Sequence, residues 1–318
     1  MKPPYDITTQ MLRLIAAISE KIGELRSGFM DRPSPQLRKQ NKIKTIHHSL
    51  KIEGNTLSEA QITELIENKR VLGPAKDIRE VLNAIKIYEN LRAYNPASEK
   101  SFLKAHQILM QGLIEDAGRY RTQGVGIVKG NKVEHLAPPH QNVPYLVKEL
   151  LRYVKNFDEL PLIKSCVFHY EMEFIHPFVD GNGRMGRLWQ TLILYQAHPV
   201  FEYLPFESLI SETQQDYYSV LSECDKAGKS TLFIEYMLSV IDASMGKLLN
   251  FTNQSLSQSD RLNYFIAQHS GEFSRKNYMN VFKHISPATA SRDLKFGIEK
   301  KLFESIGAQN QTKYRIKP

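Results

Sequence analysis

The chain has 318 residues, of which 42% are hydrophobic, so it is long enough for one large domain or two to three smaller ones. A formal net charge of +8 favours an anionic partner such as a nucleotide, a nucleic acid or an acidic protein surface. Only two cysteines occur, which argues against a disulfide framework and against a cysteine-based zinc site.

The hydropathy of the chain bears on its location. The N-terminal stretch has no apolar core of the signal-peptide type, and no run reaches the roughly 18 consecutive apolar residues of a membrane span. We therefore expect a cytoplasmic protein with no membrane partner.

Apolar residues recur at three- and four-residue steps along most of the chain, which predicts a mainly α protein. The predicted helices are Ile7–Leu25, Ala60–Glu67, Ile78–Tyr94, Phe102–Leu113, Pro144–Asn156, Pro161–Ile175, Gly186–His198 and Thr231–Asn253. Residues 125–135 are the exception, because short β-like arms flank the glycine-containing turn Lys129-Gly130-Asn131. They predict a small hairpin on a helical body.

A polar stretch at Thr252–Ser259 predicts a linker to a C-terminal module. The elements predicted beyond it are helices at Asp260–His269, Phe273–Phe282 and Ser286–Lys301, then strands at Phe303–Ile306 and Thr312–Ile316. Three short helices followed by a hairpin are typical of a winged helix. The third helix begins with small polar and basic residues, as a DNA-reading helix does, but winged helices also dock proteins. DNA and protein partners both stay open for this module.

The most informative stretch of the chain is His176–Arg187, with the sequence HPFVDGNGRMGR. Taken alone, a histidine after an apolar helix is usually a packing residue, a GNG triplet is usually a turn, and paired arginines usually form a solvated face. Phosphoryl or nucleotidyl transfer needs a proton acceptor, a metal ligand and groups that stabilise phosphate oxygens. Candidates for all three requirements occur together within twelve residues, which favours a site for a nucleotide phosphate chain.

Each candidate has a chemical reason. His176 has a pKa suited to accepting a hydroxyl proton near neutral pH. Asp180 is a hard oxygen donor, and nucleotide-bound Mg²⁺ usually takes only one or two protein carboxylates. The backbone amides of Gly181-Asn182-Gly183, at the start of a helix, can hold anionic oxygens. Arg184 and Arg187 are three residues apart, so they share a helix face and can reach the outer phosphates.

The order His-Pro-Phe-x-Asp-Gly-Asn-Gly-Arg-x-x-Arg resembles the signature of Fic-domain proteins at every fixed position. The resemblance implies an α-helical core and transfer of AMP from ATP, with Mg²⁺, to a hydroxyl side chain of a target protein. By motif position it makes His176 the base, Asp180 the metal ligand, residues 181–183 the phosphate cradle, and Arg184 and Arg187 ligands of the outer phosphates.

Neighbouring residues extend the resemblance. Gly118-Arg119-Tyr120-Arg121 and the hairpin at 125–135 resemble the family's flap, which pairs with an extended target segment as a strand would. Gly183 stands where Doc-type toxins have lysine, which argues against their phosphorylation chemistry. Tyr217 and Tyr218 resemble residues beside the nucleoside pocket but also suit a core, and phosphocholine transfer stays open.

Ser49-Leu50-Lys51-Ile52-Glu53-Gly54 resembles the Fic inhibitory motif, although the same residues also suit a plain helix end with a glycine cap. The resemblance implies that the Glu53 carboxylate pairs with Arg187 and denies ATP its productive pose. In some relatives the same glutamate supports removal of AMP from the target, and that activity stays open here.

These observations give one organisation and one function. We predict an N-terminal helical region at 1–98 with the inhibitory motif at 49–54, a Fic core at 99–253 and a winged helix at 256–318. We expect an adenylyltransferase that Glu53 autoinhibits and that modifies a Tyr, Ser or Thr hydroxyl. The alternative is a nucleotide-sensing, DNA-binding transcriptional regulator, and homo-oligomerisation stays open.

Overall fold

The structure is a computed structural model, which describes residues 2–27, 35–129, 132–255, 257–269, 271–282, 285–307 and 312–316. The α-helices of the first part of the described chain are α1 (Thr9–Ser27), α2 (Pro35–Ile52), α3 (Glu59–Ile66), α4 (Ala75–Glu89), α5 (Glu99–Leu109), α6 (Val143–Asn156), α7 (Pro161–Ile175) and α8 (Asn182–Ala197). They are followed by α9 (Glu207–Glu212), α10 (Gln214–Ala227), α11 (Thr231–Ser255), α12 (Gln258–Gln268), α13 (Arg275–Val281) and α14 (Pro287–Glu299). The prediction of a mainly α protein is confirmed.

Five strands are present in the described residues, and they form two small antiparallel sheets. The first sheet is a hairpin of β1 (Gly126–Lys129) and β2 (Lys132–Leu136), in which Gly126 pairs with Leu136 and Lys129 with Lys132. The predicted hairpin is confirmed, while its turn residues 130–131 lie outside the described residues. The strands of the second sheet are β3 (Glu272–Ser274), β4 (Phe303–Ile306) and β5 (Lys313–Ile316), in the order β3-β5-β4.

The chain divides into two compact units. The described residues of the first unit, here called the catalytic unit, are 2–18, 35–129 and 132–244, and those of the second unit are 19–27, 245–255, 257–269, 271–282, 285–307 and 312–316. The centre of the catalytic unit is the pair α7 and α8, whose facing sides are buried around Trp189, Phe168 and Phe178. This packing fixes the ends of both helices, and with them the connecting loop.

Helix α2 was not among the helices predicted from apolar spacing, because it is buried on two sides of different character. Ile43, Ile46 and Leu50 form an apolar side, whereas Asn41, Thr45 and Ser49 follow one another at four-residue steps and are all at most 5% exposed. The buried positions of α2 therefore do not form the single apolar stripe that a pattern search looks for. The amide of Asn41 donates to the backbone oxygen of Tyr203, so this polar face is held by specific hydrogen bonds.

The other helix predictions vary in accuracy. The helix Pro161–Ile175 matches α7 at both ends. Helix α8 begins at Asn182, four residues before the predicted start, and α10 was also missed. The stretch 252–255, predicted as linker, lies in α11, so the linker prediction is wrong there.

The second unit has its own apolar core. Its centre is formed by the buried side chains of Leu262, Phe265, Phe273, Tyr278, Phe282, Ala290, Leu294 and Phe303. The predicted helix at Phe273–Phe282 is wrong at its start, because Phe273 lies in β3 and Ser274 caps α13. The predicted start of the third helix at Ser286, which caps α14, and the strand Phe303–Ile306 are confirmed, whereas residues 308–311 between the two predicted strands lie outside the described residues.

Candidate functional site

The loop between α7 and α8 places His176 at a strained backbone position. His176 is the C-cap of α7 with φ 49° and ψ 58°, a left-handed conformation that non-glycine residues seldom adopt. Gly181, at the other end of the loop, has φ 88° and begins α8 without steric cost. Strain of this kind persists only where the surroundings impose it, and it is common at active sites.

Asn182 closes the loop. Its side-chain oxygen accepts a hydrogen bond of 2.9 Å from the Phe178 amide, and its side-chain nitrogen donates to the Phe178 oxygen at 2.9 Å. Asn182 is only 2% exposed. Its side chain is therefore used for loop closure, which leaves its backbone as the group available to an anion. Phe178 is fully buried, as expected of an apolar anchor.

His106 supports the loop from α5 and was missed in the sequence. Its ring stacks on Phe178 with centroids 3.5 Å apart. Its Nδ1 accepts a hydrogen bond from the Gly118 amide at 2.9 Å, so its Nε2 carries the proton and donates to the Asp180 backbone oxygen at 2.9 Å. Burial lowers the pKa of His106 to about 4, which keeps the ring neutral. No motif surrounds this histidine, so spacing gave no signal for it.

Arg121 joins the loop to the segment that leads into the hairpin. It is 3% exposed, and its Nε donates to the His176 backbone oxygen at 2.7 Å while its Nη1 donates to the Gln123 oxygen at 2.8 Å. The family resemblance included Arg121 but gave it no role. The structure makes it a fixed brace between His176 and the start of the flap.

Asp180 and Arg184 form a pair at the start of α8. Nη2 of Arg184 donates to Oδ1 of Asp180 at 2.7 Å, and its Nη1 donates to Oε1 of Glu80 at 3.2 Å. Burial alone would raise the pKa of Asp180, but the charge and hydrogen bond of Arg184 lower it. Asp180 is thus an ionised carboxylate whose side chain is 44% exposed. One such oxygen donor beside a helix N-terminus suits Mg²⁺ shared with nucleotide phosphates.

Arg187 is fully buried and bound to residues from the end of α2. Nε donates to the Ser49 hydroxyl at 3.1 Å, and Nη2 donates to the Ser49 backbone oxygen at 2.9 Å and to Oε1 of Glu53 at 2.7 Å. Burial would lower the pKa of Arg187, but the Glu53 carboxylate raises it. Arg184 and Arg187, predicted to reach one ligand, are therefore paired with different carboxylates in this structure.

Two glycines make room for Glu53. Gly54 follows it with φ 89°, so the chain turns sharply away after the end of α2. At Gly183, a Cβ atom would lie 2.5 Å from Oε1 of Glu53 and 3.0 Å from Nη1 of Arg187. The carboxylate of Glu53, predicted as inhibitory, therefore lies directly against Gly183 of the predicted phosphate cradle.

Glu173 is a second carboxylate beside Arg187, and the sequence did not reveal it. It lies in α7, three residues before His176, and accepts a hydrogen bond from the Tyr217 hydroxyl at 3.1 Å. Burial opposes its ionisation, but the neighbouring His169, whose Nε2 is 3.8 Å away, and the charges of His176 and Arg187 lower its pKa. Tyr217 is 1% exposed and belongs to the core, whereas Tyr218 is 42% exposed.

A solved structure decides the family of this chain. A Fic family protein from Desulfovibrio desulfuricans G20 has 40% sequence identity with it and a TM-score of 0.77, and the match covers 100% of this chain and 98% of the other. The chain belongs to the Fic family. A profile described as Fic/DOC family matches residues 96–194 of this Fic protein, a range that holds the hairpin and the whole loop His176–Arg187.

Curated relatives of this Fic protein carry names that state an activity. Protein adenylyltransferase fic-1 of Caenorhabditis elegans is 27% identical over 256 residues, which are 76% of this chain and 47% of the relative. Protein adenylyltransferase Fic of Nematostella vectensis is 27% identical over 226 residues, which are 65% of this chain and 50% of the relative. The chain thus spans about half the length of the curated relatives it matches.

None of the helices in the described ranges is both long enough and apolar enough to cross a bilayer.

Proposed function

We propose that this Fic protein transfers AMP from ATP to a hydroxyl side chain of a target protein, and that Glu53 holds the transferase in a restrained state. The observation that carries the proposal is that Arg187, in the first half of α8, is buried and hydrogen-bonded to Ser49 and Glu53. The names of the curated relatives support the transfer of an adenylyl group.

The proposed roles follow from the chemistry of each group. His176 accepts the proton of the attacking hydroxyl, whose oxygen forms a bond to the α-phosphorus of ATP as the bond to the leaving pyrophosphate breaks. The backbone amides at 181–183 and the positive end of α8 hold phosphate oxygens, and Arg184 and Arg187 neutralise the outer phosphates. Asp180 holds Mg²⁺, which would neutralise charge on the phosphates when bound.

Restraint follows from competition for Arg187. When Nη2 of Arg187 pairs with Glu53 at 2.7 Å, that nitrogen is not available to bind a phosphate oxygen. Glu53 also blocks the site sterically. Its carboxylate lies against Gly183, and a nucleotide held by the Gly183 amide needs the volume that this carboxylate occupies. Nucleotide binding in a productive pose therefore requires Glu53 to move.

The hairpin is proposed to present the target. Short strands such as β1 and β2 can offer an edge to an extended segment, and main-chain pairing positions a hydroxyl without demanding one sequence. Arg121 braces the backbone between the hairpin and His176, so a segment paired there would be held at a fixed place relative to the base.

The test uses ATP labelled at the α-phosphate, with Mg²⁺ and a cell lysate. We expect weak labelling by the wild type, strong labelling by Glu53→Gly and none by the double variant Glu53→Gly with His176→Ala. ATP labelled at the γ-phosphate should give no label, which distinguishes adenylyl from phosphoryl transfer.

A matched control is Glu67→Gly, which removes a partly exposed carboxylate at the C-cap of α3. It should label as weakly as the wild type. Strong labelling by this variant would show that the gain is unspecific, and a Glu53→Gly protein that labels no more than the wild type would refute the restraint.

A further inference from the structure

A cluster of two histidines and one glutamate lies where α2 approaches α3, outside the loop site. It consists of His47 and His48 in α2 and Glu59 at the first position of α3. Oε1 of Glu59 is 3.6 Å from Nδ1 of His47 and 3.6 Å from Nε2 of His48. One potential ligand atom from each residue lies within 4.8 Å of the other two.

The convergence of the two imidazoles is unusual for a helix. Adjacent helical residues point in different directions, and pairs that meet are normally three or four residues apart. Here the rings of His47 and His48 nevertheless meet edge to face with centroids 4.7 Å apart. Both rings approach the same carboxylate from one helix.

Hydrogen bonding within the protein does not account for this arrangement. The Nδ1 atoms of His47 and His48 are both buried, and neither has a hydrogen-bond partner among the described residues. The separations of 3.6 Å to Glu59 are too long for good hydrogen bonds. Buried polar atoms without partners are costly, and a missing group at this point would explain the one of His47, whose Nδ1 is the atom that faces Glu59.

The distances are those of a metal site before the ion enters. A zinc ion binds imidazole nitrogen and carboxylate oxygen at about 2.0–2.2 Å, so tetrahedral ligands lie about 3.4 Å from one another. The two measured separations of 3.6 Å are close to this value. The third pair consists of the ligand nitrogens of His47 and His48, and small rotations of the two rings bring these nitrogens together.

The electrostatics also suit a cation. Burial is the main cause that lowers the pKa of both histidines, which keeps the imidazoles neutral and available as ligands near pH 7. The carboxylates of Glu59 and Glu212 act on His48 in the opposite sense, since they favour positive charge at this position. Lys51 opposes them.

We propose that His47, His48 and Glu59 bind a divalent transition-metal ion of the zinc class, with a water molecule as the fourth ligand. Two imidazoles and one carboxylate match the preference of Zn²⁺, Co²⁺ and Ni²⁺, whereas Mg²⁺ and Ca²⁺ favour oxygen ligands. The ion joins α2 to α3 directly before Ser49, the residue that contacts Arg187. The proposal concerns binding alone and does not depend on transferase activity.

The experiment is a calorimetric titration of the full chain, freed of metal by a chelator, with Zn²⁺. We expect one tight site per chain, which His47→Gln and His48→Gln each weaken by about 100-fold or more, because loss of a supporting residue alone costs a metal site about 10- to 100-fold. Glu59→Gln should weaken it in the same direction. Mg²⁺ should not bind at this site. The two cysteines are buried and do not compete.

The matched control is His140→Gln, which removes a histidine outside the cluster and should leave the affinity unchanged. A second measurement guards against a misfolded variant: Zn²⁺ should raise the melting temperature of the wild type and of His140→Gln, but not that of His48→Gln. Equal Zn²⁺ affinity in the wild type and in both cluster-histidine variants, or the absence of a tight site, would overturn the proposal.

Discussion

Each unit of the protein contains a buried arginine paired with a carboxylate, and two of these pairs, Arg187 with Glu53 and Arg261 with Asp293, are built differently. In the catalytic unit, Arg187 binds Glu53 through a single nitrogen at 2.7 Å, and the Glu53 side chain is 25% exposed. In the second unit, Arg261 binds Asp293 through two nitrogens at 2.6 and 2.9 Å, and the side chains are only 9% and 2% exposed.

The surroundings of the carboxylates differ as well. Asp293 lies within α14 and accepts a further hydrogen bond from the Tyr278 hydroxyl at 3.1 Å. Glu53 lies just beyond the end of α2 and is followed by a glycine in a left-handed conformation. A carboxylate within a helix and with several donors stays in place, whereas one at a helix end with a single donor can leave. The first pair suits a structural role and the second suits a contact that a ligand displaces.

The largest expected effect is on the structural pair. Asp293→Asn removes the charge that compensates Arg261, and breaking a buried ion pair from one side typically costs about 3–5 kcal/mol. We expect the free energy of unfolding of the second unit to fall by this amount, measured by hydrogen exchange of its core amides in denaturant. Glu304→Gln, at an exposed position of β4, is the control and should change little. If both variants unfold alike, the pair is not structural.

A smaller loss is expected in the catalytic unit. Glu53→Gln leaves Arg187 with both Ser49 contacts, and water can reach the partly exposed position of residue 53. We expect a loss of at most about 1.5–3 kcal/mol in unfolding free energy, since a hydrogen bond to a charged group contributes about that much. Transfer of AMP should rise at the same time. A loss as large as that of Asp293→Asn would mean that Glu53 is a fixed structural partner.

The sequence revealed the residues of the site that lie in motifs, but it did not reveal the helix that positions Glu53. The loop His176–Arg187 and Glu53 were identified because their chemistry lies in short contiguous motifs. Helix α2, which carries Glu53 to the loop, was missed because it is buried on two sides, and one of these sides holds the polar residues Asn41, Thr45 and Ser49. Pattern reading finds apolar stripes, and a polar face that is buried by tertiary hydrogen bonds looks like a solvated one.

The supporting residues of the site were hidden for a related reason. His106 contacts the loop residue Asp180, and Glu173 interacts electrostatically with Arg187; they stand 74 and 14 positions away from these partners in the chain. Only the packing of α5, α7 and α8 brings these groups together. In the second unit, the pairing of Arg261 with Asp293 likewise spans 32 positions and follows no motif.

The smallest expected effect comes from Ser49, which contributes its hydroxyl and its backbone oxygen to Arg187. Ser49→Ala removes the hydroxyl alone, so the backbone contact and the Glu53 contact remain. A hydrogen bond of this kind contributes about 0.5–1.5 kcal/mol, which corresponds to a rise in AMP transfer of about two- to tenfold. Initial rates of α-phosphate labelling measure it, with Ser49→Thr, which keeps a hydroxyl, as the control. A rise equal to that of Glu53→Gly would show that the Ser49 hydroxyl restrains the transferase as strongly as the Glu53 carboxylate does, and would contradict the role given to Glu53.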